Sequence, residues 1–370
     1  MEDFSEIGVQ AVIDSLGDGL YVCDMNRRII YWSKSAERIT GWAAEDVVGR
    51  CCYDNVLNHI DKDGHRLCGE EFCPLHRAMV TDSKSKNSLL VYAKGKEGGR
   101  IPTLVSVVPL KKDDGTVIGG VETFQDASSL VHDLERAKAI QRLAVEQKLP
   151  EDDRLEFKMH YTPQGIIGGD YYAVKKLDAD RYGIMLADVM GHGTAAALYT
   201  MHLSQLWDRF CHLLPNPTQF AQMINGELVK VVRTDESFAT AICGIIDLDA
   251  KTFRYAGAGG PQIMLTHADG HAKTLESSGL PLGVLEDSTY DELETEIVPG
   301  DNLLLFSDGA TEVFNADGDM LGVAGLANIL KKQGYPDTPI RMEAVERELL
   351  RYSNAIRLED DLTIINIRFC

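Results

Sequence analysis

The chain has 370 residues, 44% hydrophobic and 25% charged, with 37 basic against 57 acidic side chains and a formal net charge of −20. That length predicts two or three domains, and 33 glycines with 12 prolines exclude collagen-like and low-complexity classes. The acidic excess argues against nucleic-acid partners, which bind through basic side chains that displace counterions. No apolar run reaches the ~18 residues of a membrane span. Met1–Gln10 is acidic rather than basic-then-apolar, so the expectation is a soluble cytoplasmic protein with no membrane partner and reduced cysteines. The charge is uneven: −5 over residues 1–126, +1 over 127–150 and −16 over 151–370.

From the N-terminus, Gly19–Cys23 and Arg28–Trp32 flank Asp24-Met25-Asn26-Arg27, whose turn chemistry predicts a hairpin. Short helices are expected at Ser35–Thr40 and Glu45–Val48. Strands are expected at Ser88–Ala93, Ile101–Leu110 and Val117–Gln125, broken by Gly98-Gly99 and Asp113-Asp114-Gly115. Residues 8–126 resemble the PAS sensor family through Gly19-Leu-Tyr-Val-Cys-Asp, Ile30-Tyr-Trp-Ser-Lys-Ser-Ala-Glu and Thr40-Gly-Trp…Glu45-Asp-Val-Val-Gly49. Ser33 stands where many members carry asparagine. The Asn-Cys-Arg-Phe-Leu-Gln signature of flavin-photoreactive members is replaced by Arg50-Cys-Cys-Tyr-Asp-Asn, which argues against a light sensor.

Four of the eight cysteines fall between 51 and 73. Cys68 and Cys73, with His65 and His76 around them, have spacings that suit a thiolate and imidazole metal site or a redox pair. Reduced cysteines packed as small hydrophobes are the structural alternative. The identity of a PAS-bound ligand or metal is left open.

Ala127–Leu149 has neither Gly nor Pro and is rich in helix formers, and Pro150 ends it. Ala127, Leu130, Leu134, Ala137, Gln141 and Ala144 draw one narrow stripe, which suits a two-stranded coiled coil and predicts a homodimer through this linker. A connecting helix lying on one of its own domains is the alternative. The expected division is a sensor domain over 1–126, a helical linker over 127–150 and a catalytic domain over 151–370.

In that last domain, strands are expected at Tyr182–Val189, Thr240–Leu248, Thr252–Ala256, Gln262–Thr266, Asn302–Ser307 and Leu362–Phe369. Helices are expected around Thr194–Leu213, Pro217–Val232 and Ile340–Tyr352. Hairpin-like links such as Asp247–Thr252 favour antiparallel pairing and an α+β sandwich with flanking helices. Four motifs place an Asp beside glycine or another carboxylate at a strand end. They are Gly168-Gly-Asp170-Tyr-Tyr, Ala187-Asp188-Val-Met-Gly-His-Gly193, Phe306-Ser-Asp308-Gly-Ala-Thr-Glu312 and Glu359-Asp360-Asp361-Leu-Thr363. Hard divalent cations take such oxygen ligands, and glycine lets the backbone approach closely.

In this order, with the lead-in Ile140-Gln-Arg-Leu, the strand Phe238-Ala-Thr-Ala241 and Pro281-Leu-Gly283, the motifs resemble the bacterial sporulation and sigma-regulator branch of the metal-dependent (PPM) serine/threonine phosphatases. The resemblance runs from about Leu149 to Phe369. It implies two Mn²⁺ or Mg²⁺ ions, with Asp170 and Asp188 between or beside them and the Val189 carbonyl as a backbone ligand. It implies that Asp308 and Asp360 complete the second ion, with Asp361 ranked next, and that His192 relays a proton to the leaving serine oxygen. The implied substrate is a phosphorylated anti-anti-sigma-type protein in a partner-switching pathway. Ala256–Pro261 departs from the His- and Pro-rich version in many relatives. A diguanylate cyclase reading starts from Gly168-Gly-Asp-Tyr-Tyr, but Tyr-Tyr replaces Glu-Phe and nothing in a cyclase explains the other three motifs. An inert interaction module is disfavoured because all four acidic positions are filled.

Overall fold

Asp24 closes the first hairpin, accepting the backbone N–H groups of Asn26 and Arg28 at 2.9 and 2.8 Å, and Arg27 takes the positive φ that the turn needs. The hairpin joins β1 (Gly19–Asp24) to β2 (Ile29–Trp32). The computed structural model describes residues 9–69, 72–82, 88–145, 148–191, 193–232, 237–260, 262–355 and 357–370. It divides into two units, Met1–Asp133 and Leu134–Cys370.

The first unit has one antiparallel sheet, in the order β2-β1-β5-β4-β3, completed by β3 (Leu89–Lys94), β4 (Arg100–Lys111) and β5 (Val117–Asp126). Helices α1 (Val9–Ser15), α2 (Lys34–Thr40), α3 (Ala44–Val47) and α4 (Pro74–Thr81) accompany it. Helix α2 starts where it does because Ser33 caps it: its Oγ accepts from Ala36 N at 3.2 Å and from Leu20 N at 2.9 Å. The serine found in place of asparagine is thus committed to local structure. Helix α4 is not among the elements expected above, although Pro74 at its first position is a start signal.

Helix α5 (Ser128–Val145) occupies the expected linker, and the boundary between the units falls within it. The stripe is not one uniform seam. Gln141 and Val145 are buried in the second unit, whereas Leu130, Ile140 and Leu143 are exposed, Leu143 to 87%.

The second unit holds two five-stranded antiparallel sheets. One runs β13 (Glu292–Glu296), β10 (Thr252–Ala258), β9 (Ala239–Asp247), β8 (Arg181–Val189), β7 (Asp170–Lys176). The other runs β12 (Ala272–Leu275), β11 (Gln262–Thr266), β14 (Asn302–Phe306), β15 (Leu362–Phe369), β6 (Leu155–Thr162). The period-2 alternation of strands decides the layers. Leu303, Leu305, Ile365 and Ile367 join the main core with Tyr171, Ile184 and Ile242, while Leu304, Phe306, Leu362 and Ile364 pack with Leu326, Val345 and Leu349 of the helices α8 (Gly322–Lys332) and α9 (Met342–Ser353). With both faces covered, β14 is buried throughout, and each such Leu or Phe contributes about 1.5–3 kcal/mol. Helices α6 (Thr194–Phe210) and α7 (Pro217–Val232) cover the first sheet, with Trp207 edge-on to Phe220 at 5.8 Å. This is the α+β architecture expected. Among the described residues no helix is long and apolar enough to cross a membrane.

Candidate metal centre

Asp170 opens β7 and Asp188 lies near the end of β8, directly opposite each other in the ladder. Like charges so placed repel. Asp308 opens a 3-10 turn after β14, and its carbonyl accepts Thr311 N at 2.7 Å and Glu312 N at 2.6 Å. Asp360 and Asp361 precede β15, which lies beside β14, so the four motifs come from strand ends on both sheets.

These carboxylates have different jobs. Asp361 is buried, and both its oxygens are engaged by backbone amides: Oδ1 accepts from Gln164 N at 2.6 Å, while Oδ2 accepts from Gly169 N and from Asp170 N at 3.3 Å. It therefore clamps the turn that delivers Asp170. Asp170 accepts from Thr363 Oγ1 through Oδ2, but its Oδ1 is buried without a hydrogen-bond partner. The same is true of Asp308 Oδ1. Asp360 is exposed, and its Oδ1 accepts from Asp361 N at 2.8 Å.

Two glycines make the approach possible. A Cβ on Gly169 would stand 3.1 Å from the Val189 carbonyl oxygen, and one on Gly309 would run into the carbonyl of Asp361. Val189 N in turn donates to Gly169 O at 3.1 Å, which fixes the β7 and β8 ends together.

Crowded carboxylates without a counter-charge hold their protons. Burial, then Asp188 and Asp361, pushes Asp170 well above the usual carboxylate range. Burial, then Asp308 and Asp360, pushes Asp188 up to about 8. Burial, then Asp360, pushes Asp308 up to about 6. Burial also raises Asp361, against the three amides that lower it. Unpaired buried oxygens and raised acids together make a donor set that fits a hard divalent cation.

Three residues with a part here were not expected at the metal centre from the sequence. Ser307 Oγ accepts from Thr363 N at 2.9 Å and donates to Asp361 O at 3.2 Å, which staples β14 to β15 beside the acids. Thr363 orients Asp170. Gln141 of α5, 7% exposed, donates from Nε2 to Gly168 O and Thr200 Oγ1, both at 2.8 Å. All three stand inside the motifs quoted above, yet their partners lie far off in sequence. His192 lies outside the described residues.

The expected sensor residues separate. His65 is largely exposed, and its Nδ1 lies 3.1 Å from Asp61 Oδ2. Asp61, Asp63 and His65 are, among the described residues, the one trio of potential ligand atoms all within 4.8 Å of one another. They form a turn in which Asp61 Oδ1 accepts the N–H groups of Asp63 and His65. Cys68 and Cys73 are buried instead, with His76 in the first turn of α4. Nearby, Tyr21 OH donates to Glu122 Oε2 at 3.1 Å. Burial pushes Glu122 up to about 8 and His59 down to about 4, so both are mainly uncharged at neutral pH.

Comparison with known proteins agrees with this division. Residues 13–132 match a family model described as PAS fold, and residues 178–370 match Stage II sporulation protein E. Phosphoserine phosphatase RsbP of Bacillus subtilis is 28% identical over 211 residues, covering 56% of this chain and 50% of that protein. Phosphoserine phosphatase RsbU of the same organism is 27% identical over 237 residues, 64% of this chain and 70% of that one. The chain thus spans about half the length of RsbP. Among solved structures, the SiaA-PP2C domain of Pseudomonas aeruginosa superposes with a TM-score of 0.58 at 22% identity, covering 66% of this chain and all of that one. The RsbU and RsbW domains of Rv1364c from Mycobacterium tuberculosis give 0.52 at 22% identity, over 61% and 63% of the two chains. The second unit has the PP2C fold, and the chain, with its PAS domain, belongs to the Stage II sporulation protein E family.

Proposed function

We propose that the chain is a signal-regulated, metal-dependent serine/threonine protein phosphatase that hydrolyses phosphoserine or phosphothreonine on an anti-anti-sigma-type regulator. The observation that carries this reading is the convergence of Asp170, Asp188, Asp308 and Asp360, with buried carboxylate oxygens left unpaired, in a chain of this family. The activity named for RsbP and RsbU supports the phosphoserine substrate.

Asp170, Asp188, Asp308 and Asp360, with the Val189 carbonyl, would hold two Mn²⁺ or Mg²⁺ ions. When bound, such ions lower the pKa of a coordinated water and offset phosphoryl charge. The protein's own part is placement: Thr363 sets the Asp170 carboxylate, Asp361 holds the turn before it, and Gly169 and Gly309 keep side chains out of the way.

The test is hydrolysis of an aryl phosphate and of the phosphorylated regulator, with and without Mn²⁺. Asp308→Asn removes a ligand charge at constant size, and turnover should fall at least about a hundredfold, equivalent to about 2.7 kcal/mol. Wild-type turnover of Asp308→Asn in saturating Mn²⁺ would overturn the proposal. The reading also includes a homodimer through the linker helix α5, on which Leu143 is 87% exposed. Sedimentation of the full chain and of Leu143→Glu checks it: the variant should dissociate at lower concentration, and a wild-type monomer at tens of micromolar would remove the dimer.

A further inference from the structure

Four thiols from separate segments of the first unit converge on one buried region. Cys23 pairs with Gly120 across β1 and β5, and the next pair on the same face is Tyr21 with Glu122. Helix α4 lies directly over Gly120, where a Cβ would come within 2.6 Å of Leu75 Cδ1 and 3.1 Å of Met79 Cγ. Cys73 is the N-cap residue of that helix. Arg27 ties in the other two: its carbonyl accepts Cys52 N at 3.1 Å, and its guanidinium donates to Gly69 O, beside Cys68. Cys68 Sγ accepts from His59 N at 3.1 Å, and His59 Nε2 stands 3.6 Å from Glu122 Oε1. Cys23, Cys52, Cys68, Cys73, Arg27 and His59 are all buried, and Glu122 is 1% exposed.

We propose that Cys23, Cys52, Cys68 and Cys73 hold a thiolate-bound metal centre in the PAS unit, with Glu122 and His59 beside it. Simple hydrophobic packing accounts for buried cysteines but not for the polar groups among them. Glu122 Oε1 has no hydrogen-bond partner, and leaving a buried oxygen unsatisfied is unfavourable. A buried arginine and histidine stand at the same place.

A reversible disulfide is the rival chemistry, and the surroundings oppose it. The attacking species must be a thiolate, and apolar burial keeps a thiol protonated and slow. Metal binding meets that difficulty directly. Each S–H bond is replaced by a sulfur–metal bond and the proton leaves to solvent; a single ion needs no electron transfer, whereas a cluster takes in ferrous and ferric iron together with inorganic sulfide. Spacing bears on the nuclearity. A single tetrahedral ion with Zn–S of about 2.3 Å needs sulfurs about 3.8 Å apart. Among the described residues no three of these sulfurs lie within 4.8 Å of one another, so a single ion would have to draw them together.

The experiment is iron, zinc and acid-labile sulfide analysis of the full chain, purified without oxygen from cells supplied with both metals. X-ray absorption at the edge of the metal found reads the ligands in the wild-type protein. The expected result is about one centre per chain with sulfur ligands, lost from Cys52→Ser/Cys73→Ser and kept in Asp308→Asn, which separates it from the strand-end aspartates. Iron with sulfide identifies a cluster and zinc alone a single ion; either one on sulfur supports the proposal. Absence of both metals from the wild type, oxygen and nitrogen ligands only, or full retention in the double variant would overturn it.

Discussion

Replacing Gln141 with alanine should loosen the Gly168–Asp170 turn from a distance. The side chain makes two hydrogen bonds, to Gly168 O and to Thr200 Oγ1, in a buried position. Two neutral bonds are worth about 2 kcal/mol net, and a buried Gly168 carbonyl left without its partner adds about 1–2 kcal/mol, so the expected loss is about 3–4 kcal/mol. Thr200 suffers less, because its hydroxyl still donates to Ala197 O at 2.8 Å. For a unit of this size each kcal/mol moves the midpoint by about 2–4 °C, so unfolding of the second unit should shift down by about 6–16 °C. If about 1.4 kcal/mol of the loss falls on the Gly168–Asp170 turn, half-saturation by Mn²⁺ rises about tenfold. Scanning fluorimetry and aryl phosphate hydrolysis against Mn²⁺ concentration read the two effects. Gln141→Glu, which offers an acceptor where a donor is needed, should resemble the alanine variant. An unchanged midpoint together with an unchanged Mn²⁺ curve would refute the idea that α5 braces this turn.

Stability without divalent cations should depend on pH with a definite sign. Asp188 is raised from 3.8 to about 8 and Asp308 to about 6 in the folded state, so the folded form binds the extra protons. The stability they contribute is complete below about pH 4 and is lost as pH rises through about 6 to 8. In a chelator, the unfolding midpoint should therefore fall across that range, less steeply for Asp188→Asn, and Mn²⁺ should restore the wild type but not the variant; equal slopes for both would contradict it. Gly309→Ala puts a methyl into the Asp361 carbonyl, and overpacking of this kind costs about 1–3 kcal/mol, visible as a lower denaturant midpoint with unchanged m-value.

Local signals in the sequence determined most of the elements. Turn residues at Asp24–Arg27, the alternation of Val117–Gln125 and the proline that opens Pro217–Val232 are rules of a few neighbouring residues, and the structure keeps them. The four aspartates were legible because each carries its glycine or second carboxylate beside it. What each carboxylate does was decided by partners that only folding supplies. Asp361 reads like a metal ligand in sequence, yet its oxygens are taken by the amides of Gln164, Gly169 and Asp170, nearly two hundred residues upstream. Gln141 looked like one position of a coiled-coil stripe, because a helical period records which residues share a face and not what that face meets. The Cys/His spacing predicted a site from neighbours in sequence, whereas His65 turned to Asp61 at the surface and Cys23 came in from another strand. A chemical group's role depends on its burial and on the groups opposite it, and those are properties of long-range packing.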